Sequence, residues 1–227
     1  MIGCLCLHGF TGGPYEVEPL VAYLKEKTDW KLVVPTLPGH GEKLQLKNTS
    51  FDQWINTAES ELKKLVESCK TIYIIGFSMG GMIAAYLAAK YKVSKLVLLS
   101  PSRRYISVKQ MAVDIGGFVK EGVTGKLKDD PLFERYMQKR GSVPASSLVE
   151  FMKCMRFTKP YLKDVKCPVF IAQGIKDGMV PYKSVHYLDK EIPAQTEVIF
   201  FYDSKHHICL GSDKDVVFQR VYTFLQE

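Results

Sequence analysis

The sequence has no stretch approaching the ~20 uninterrupted apolar residues that a membrane span requires. Its amino terminus also lacks the basic-then-apolar pattern of a secretory signal. Together these absences make a cytoplasmic location the expectation. The six cysteines occur singly or as Cys4-x-Cys6, with no CxxC pair and no zinc-ligand spacing. Residues two apart in a strand share a face, so Cys4 and Cys6 are expected as buried reduced thiols. The phosphate-cradling patterns GxGxxG and GxxxxGK[ST] are missing, which argues against nucleotide binding. No basic stripe is interleaved with stacking aromatics, so nucleic acid is not an expected partner. Asn48-Thr49-Ser50 matches a glycosylation acceptor, but without a secretory signal the match carries no weight. Internal repeats, low-complexity tracts and Pro/Gly-rich linkers are absent as well, and 227 residues with 46% apolar side chains fit one α/β domain.

What is present is an alternation. Short β-branched and apolar runs cover Ile2 to Leu7, Lys31 to Pro35, Thr71 to Gly76, Lys95 to Ser100, Pro168 to Gln173 and Glu197 to Tyr202. Between them, Tyr15 to Lys27, Phe51 to Cys69, Met79 to Tyr91, Tyr182 to Lys190 and Asp213 to Leu225 carry apolar residues at helical spacing. This is the pattern of βαβ units, and it predicts about six mostly parallel strands with helices on both faces. From Arg103 to Lys166 the alternation stops, and a stretch so long reads as a helical insertion rather than a loop. The net charge of +7 is also concentrated there, with fourteen Lys or Arg against seven Asp or Glu, while the rest of the chain balances.

The chemistry gathers where predicted strands end. In Gly76-Phe77-Ser78-Met79-Gly80-Gly81 an apolar strand leads in and a helix leads out, and small residues stand where a sharp strand-to-helix turn needs room. That context makes the GxSxG pattern specific and exposes the Ser78 hydroxyl as a nucleophile, with the helix amino terminus favouring negative charge beside it. A serine hydroxyl needs a base, and the base needs an orienting group. Asp177 follows the strand ending at Gln173, and His206 and His207 follow the strand ending at Tyr202, which is the order nucleophile, acid, base. Asp177 alone would read as an ordinary Asp-Gly turn. Residue types leave the choice between the two histidines open. His40 and His186 are read as structural. Leu7-His8-Gly9-Phe10-Thr11-Gly12 follows the first strand, and the backbone N–H groups of Phe10 and Met79 are the expected donors to a tetrahedral oxyanion.

With Pro38-Gly39-His40-Gly41, Cys167-Pro168-Val169 and the Gly174 to Pro181 loop added, the chain resembles the small bacterial carboxylesterase and monoacylglycerol lipase branch of the α/β-hydrolase superfamily over nearly its whole length. The resemblance implies a core of residues 1–102 and 167–227, a small helical cap at 103–166, and ester cleavage by Ser78, His206 and Asp177 with no metal or organic cofactor. Matching Ser204-Lys205-His206-His207-Ile208 to the family's last motif makes His206 the base. Lys205 stands where the family usually has glycine, and His207 is retained as the second candidate. The last cap helix, about Ala145 to Phe157, puts Leu148, Phe151, Met152 and Met155 on one side, either as core packing or as the lining of an acyl pocket. The basic exterior of the cap would then meet anionic lipid surfaces or anionic substrates. Thioester or amide hydrolysis by the same triad, or a ligand sensor with little turnover, are the alternatives.

Overall fold

A computed structural model describes residues 1–103 and 143–227. Its sheet has six strands, β1 (Ile2–Leu7), β2 (Lys31–Val33), β3 (Thr71–Phe77), β4 (Lys95–Leu99), β5 (Val169–Gly174) and β6 (Thr196–Phe201), in the order β2-β1-β3-β4-β5-β6. All five pairings are parallel. The chain starts inside the sheet, moves outward to β2, then returns past β1 and runs to the other edge. The direction of winding therefore reverses between β1 and β3, and in open parallel sheets ligand sites lie at the carboxyl ends of the strands beside such a switch point.

Alternating side chains feed two separate cores. Leu5 and Leu7 of β1, Ile74 of β3 and Ile171 of β5 face α2 (Phe51–Ser68), α3 (Met79–Lys90) and α4 (Ala145–Thr158). Cys4, Cys6, Ile75, Val97 and Phe170 face α1 (Glu18–Lys27) and α6 (Lys214–Gln226). A short helix, α5 (Val185–Glu191), precedes β6, and His186 lies exposed on it. All six cysteines are buried and free, and the Cys4 and Cys6 sulfurs lie 3.8 Å apart on one face of β1, as their spacing requires.

Three boundaries differ from the periodicity, one of them at Tyr182, where a 3₁₀ turn at Tyr182–Ser184 precedes α5. The helix expected from Tyr15 divides into a 3₁₀ turn at Pro14–Glu16 and α1 from Glu18. Pro19 sits in the first turn of α1, where its missing N–H costs nothing. The break turns Glu16 into the protein, although it was read as part of an amphipathic helix. Strand β2 stops at Val33, because it is an edge strand whose only partner among the described residues is β1, and Pro35 has no N–H to offer a ladder.

Helix α4 ends at Thr158, close to its expected limit. Phe151 and Cys154 are fully buried, and Leu148, Met152 and Met155 pack against the same core. The apolar side therefore packs on α2 and α3, and the Phe151 ring stacks on Phe10 with centroids 5.0 Å apart. The remainder of the expected cap, residues 104–142, lies outside the described residues, together with most of its basic charge. Among the described residues no helix is long and apolar enough to cross a membrane.

The packing of β5 onto α6 is directly testable. Phe170 has no exposed surface, and its ring lies 5.5 Å from that of Phe224. Phe170→Ala is expected to lower the unfolding free energy by about 3–5 kcal/mol, read from the midpoint shift in a urea titration.

Candidate active site

Strands β1, β3, β5 and β6 each deliver one part of the site at their carboxyl ends. Strand β3 runs into Ser78, whose backbone takes φ 53° and ψ −116°, a left-handed conformation that a side chain rarely adopts. The turn is held from both sides, since Ser78 N–H donates to the Leu99 carbonyl of β4 and Gly81 N–H donates to the Ser78 carbonyl. Glycine is required around it. A Cβ on Gly76 would strike the Gly80 backbone, and one on Gly80 would strike the carbonyls of Leu7, the last residue of β1, and of His8 just after it. The spacing of small residues in the motif thus reflects close approach of α3 to the sheet.

The loops after β5 and β6 bring in the acid and the imidazole. Ile175 N–H donates to the Phe201 carbonyl and Lys176 N–H to that of Ser204, so the two loops are knitted together by backbone. His206 Nε2 lies 2.9 Å from Ser78 Oγ, and His206 Nδ1 lies 2.7 Å from Asp177 Oδ2. All three side chains are buried. His207, the other candidate, turns away from this chain of contacts and places Nε2 3.2 Å from Glu16 Oε1.

Asp177 has all its water replaced by donors. Oδ1 accepts the N–H groups of Met179 and Val180 at 2.9 and 2.8 Å, and Oδ2 accepts Gln173 Nε2–H at 2.9 Å besides His206. Burial by itself would raise the pKa of this carboxyl. The electrostatic attraction and hydrogen bond of His206, with the two backbone donors, outweigh burial and hold the value below the ordinary carboxylate range. An ionised Asp177 takes a proton-bearing Nδ1, so Nε2 is left as an acceptor for the Ser78 hydroxyl. Ser78 Oγ has a second neighbour, the buried Ser102 hydroxyl at 2.8 Å. Because the Ser78 proton already points to His206, Ser102 is the donor in that pair.

The loop after β1 supplies backbone donors. Leu37 N–H donates to His8 Nε2 at 3.0 Å, which puts the His8 proton on Nδ1, and Nδ1 is 2.9 Å from the Gly9 carbonyl. Gly12 N–H also faces that carbonyl. In a trans peptide the N–H points opposite the C=O, so the Phe10 N–H is turned to the other side. Neither it nor the Met79 N–H donates to an acceptor among the described residues. The loop lies against the elbow, since a Cβ on Gly9 would be 3.2 Å from Ser78 Cβ.

Sequence reasoning named Ser78, Asp177, His206, Phe10 and Met79, and all stand at this one edge of the sheet. It missed Ser102, Gln173 and Glu16, none of which belongs to a local pattern. Among the described residues no group of three or more His, Cys, Asp or Glu is arranged to hold a metal ion.

The chain is 26% identical to a thermostable monoacylglycerol lipase of Bacillus sp. (strain H-257), over 98% of this chain and 90% of that protein. It is 24% identical to a carboxylesterase of Bacillus subtilis (strain 168), over 98% and 92%. The structure of a monoacylglycerol lipase from Paleococcus ferrophilus superposes with a TM-score of 0.75 at 16% identity, covering 98% of this chain and 93% of the other. That last likeness is one of fold. A family model described as the alpha/beta hydrolase fold matches residues 5–153, about two thirds of the sequence. The chain belongs to the α/β-hydrolase fold family.

Proposed function

We propose that the protein is a serine hydrolase that cleaves carboxylic esters through an acyl-enzyme on Ser78. The observation that carries this reading is the unbroken chain from Ser78 Oγ through both nitrogens of His206 to Asp177. The names of the relatives, a monoacylglycerol lipase and a carboxylesterase, support esters as the substrate class.

In the reaction, Ser78 Oγ attacks the ester carbonyl while His206 Nε2 takes its proton. Asp177 orients the imidazole and stabilises the imidazolium that forms. The carbonyl oxygen becomes an oxyanion, which accepts hydrogen bonds donated by the Phe10 and Met79 N–H groups. One such donor is typically worth ~3 kcal/mol of transition-state stabilisation. His206 then hands its proton to the departing alcohol, and the C–O bond to the alcohol breaks. Water repeats the sequence on the acyl-enzyme, with His206 as base and then acid, and releases the carboxylic acid.

Ser78→Ala and His206→Ala are each expected to lower turnover of a short p-nitrophenyl ester by about a million-fold with the melting temperature little changed. A fluorophosphonate probe is expected to label the wild-type chain once, on Ser78. A chain that neither turns over the ester nor takes the probe would exclude the hydrolase reading.

A second expectation concerns pH. The pKa of Asp177 is lower in the folded chain than in the unfolded one. The stability it contributes is therefore present above the ordinary carboxylate range and is lost as pH falls through the folded value. Asp177→Asn should accordingly flatten the acid limb of a melting temperature against pH curve. It should also lower kcat by about 10⁴-fold, because an asparagine favours the wrong imidazole tautomer. An acid limb as steep as that of the wild type would refute the linkage.

A further inference from the structure

Glu16 is a buried carboxylate outside the Ser78–His206–Asp177 chain, with 2% of its surface exposed. A carboxylate survives such burial only when partners replace its water. Its Oε2 accepts the Gly9 N–H at 2.9 Å, and its Oε1 lies 3.2 Å from His207 Nε2. Space for it is kept by Gly12, where any Cβ would land on the Glu16 carboxyl. Burial by itself would raise the Glu16 pKa, but the hydrogen bond and attraction of His207, with the Gly9 N–H, outweigh it and bring the value below the ordinary one. The group therefore acts as an ionised double acceptor.

What matters is where its two partners stand. Gly9 immediately precedes Phe10, whose N–H is a proposed oxyanion donor. His207 immediately follows His206, the proposed base. The Phe77 ring lies beneath both imidazoles, with centroids 5.1 Å from His206 and 5.4 Å from His207. One side chain thus spans from the loop after β1 to the loop after β6, which are 191 residues apart between Glu16 and His207. We propose that Glu16 is a positioning residue that yokes the Phe10 loop to the His206 loop, so that oxyanion donor and base keep one mutual geometry. The proposal rests on the hydrolase reading and adds to it a group that touches no reacting atom.

Reach, rather than charge, is the property required. Glu16→Asp keeps the charge but is one methylene too short to hold both partners. Glu16→Gln keeps the length: its carbonyl accepts the Gly9 N–H, and its amide donates to His207 Nε2 in the imidazole's other tautomer. The test measures kcat and KM for a short p-nitrophenyl ester per site titrated with the fluorophosphonate probe, so that unfolded chains are not counted. It also measures the Ki of an alkyl trifluoromethyl ketone, to whose carbonyl carbon Ser78 Oγ adds. His206 takes the serine proton, and the ketone oxygen becomes the anion.

Misplacement of a donor by a fraction of an ångström predicts that Glu16→Asp lowers kcat by on the order of tenfold to a hundredfold, raises Ki by the same factor and leaves KM within about twofold. Glu16→Gln should stay within about threefold of wild type in all three, since both hydrogen bonds survive. His207→Asn breaks the tie from the other loop and should lower kcat and raise Ki in parallel. Wild-type kcat in Glu16→Asp, or a Glu16→Gln chain as impaired as Glu16→Asp, overturns the yoke. If Glu16→Asp does not fold, wild-type kcat and Ki in His207→Asn overturn it instead. Failure of the hydrolase reading is distinct, because the wild-type chain would then take no probe, and the proposal would fall with it.

Discussion

A sheet whose strands are all parallel presents every carboxyl end at one edge, and the rest of the molecule depends on that constraint. Backbone groups at this edge are left without ladder partners, and the loops that leave it must satisfy them. Here the loops do so largely on one another: Ser78 on the end of β4, the β5 loop on the β6 loop, and the β1 loop on its own glycines. The reversal of winding between β1 and β3 then brings the loop after β1 and the turn at Ser78 side by side at that edge. The strained Ser78 backbone persists because its neighbours leave no alternative. Gly76 and Gly80 are pressed so closely that the turn cannot relax without moving α3 off the sheet.

Two buried carboxylates organise the polar side of this edge, and both are paid for with hydrogen bonds. Asp177 accepts four, from two backbone N–H groups, Gln173 and His206. Glu16 takes Gly9 and His207. In each case burial works against the charge, and the local donors more than offset it. The two acids divide the labour. Asp177 sets the tautomer of the imidazole facing Ser78, and Glu16 sits below, between the loops. The adjacent histidines, ambiguous as residue types, are thus separated by the acid each one reaches.

Much of this was legible beforehand, for identifiable reasons. The strands were readable because alternation serves two cores at once, and the six runs match β1 to β6 within a few residues. Boundaries slipped where proline chemistry intervened, at Pro19 and Pro35. The elbow was readable because its glycines answer a local steric demand. Asp177 and His206 were readable as loop residues after strands, but a loop does not announce its direction. The choice of His206 over His207 came from a resemblance, since neither side chain carries a local signal of where its partner lies.

The order of residues along the chain was thus sufficient for the parallel α/β architecture, for the turn at Ser78 and for the placing of Asp177 and the two histidines in loops after strands, because each follows from periodicity or from sterics within a few residues. Only the tertiary structure decided which histidine meets Ser78, that Ser102 and Gln173 stand beside Ser78 and Asp177, and that Glu16 turns inward to join two loops. Those are contacts between segments far apart in sequence. Their existence depends on how six strands align at one edge, a relation that no local window contains.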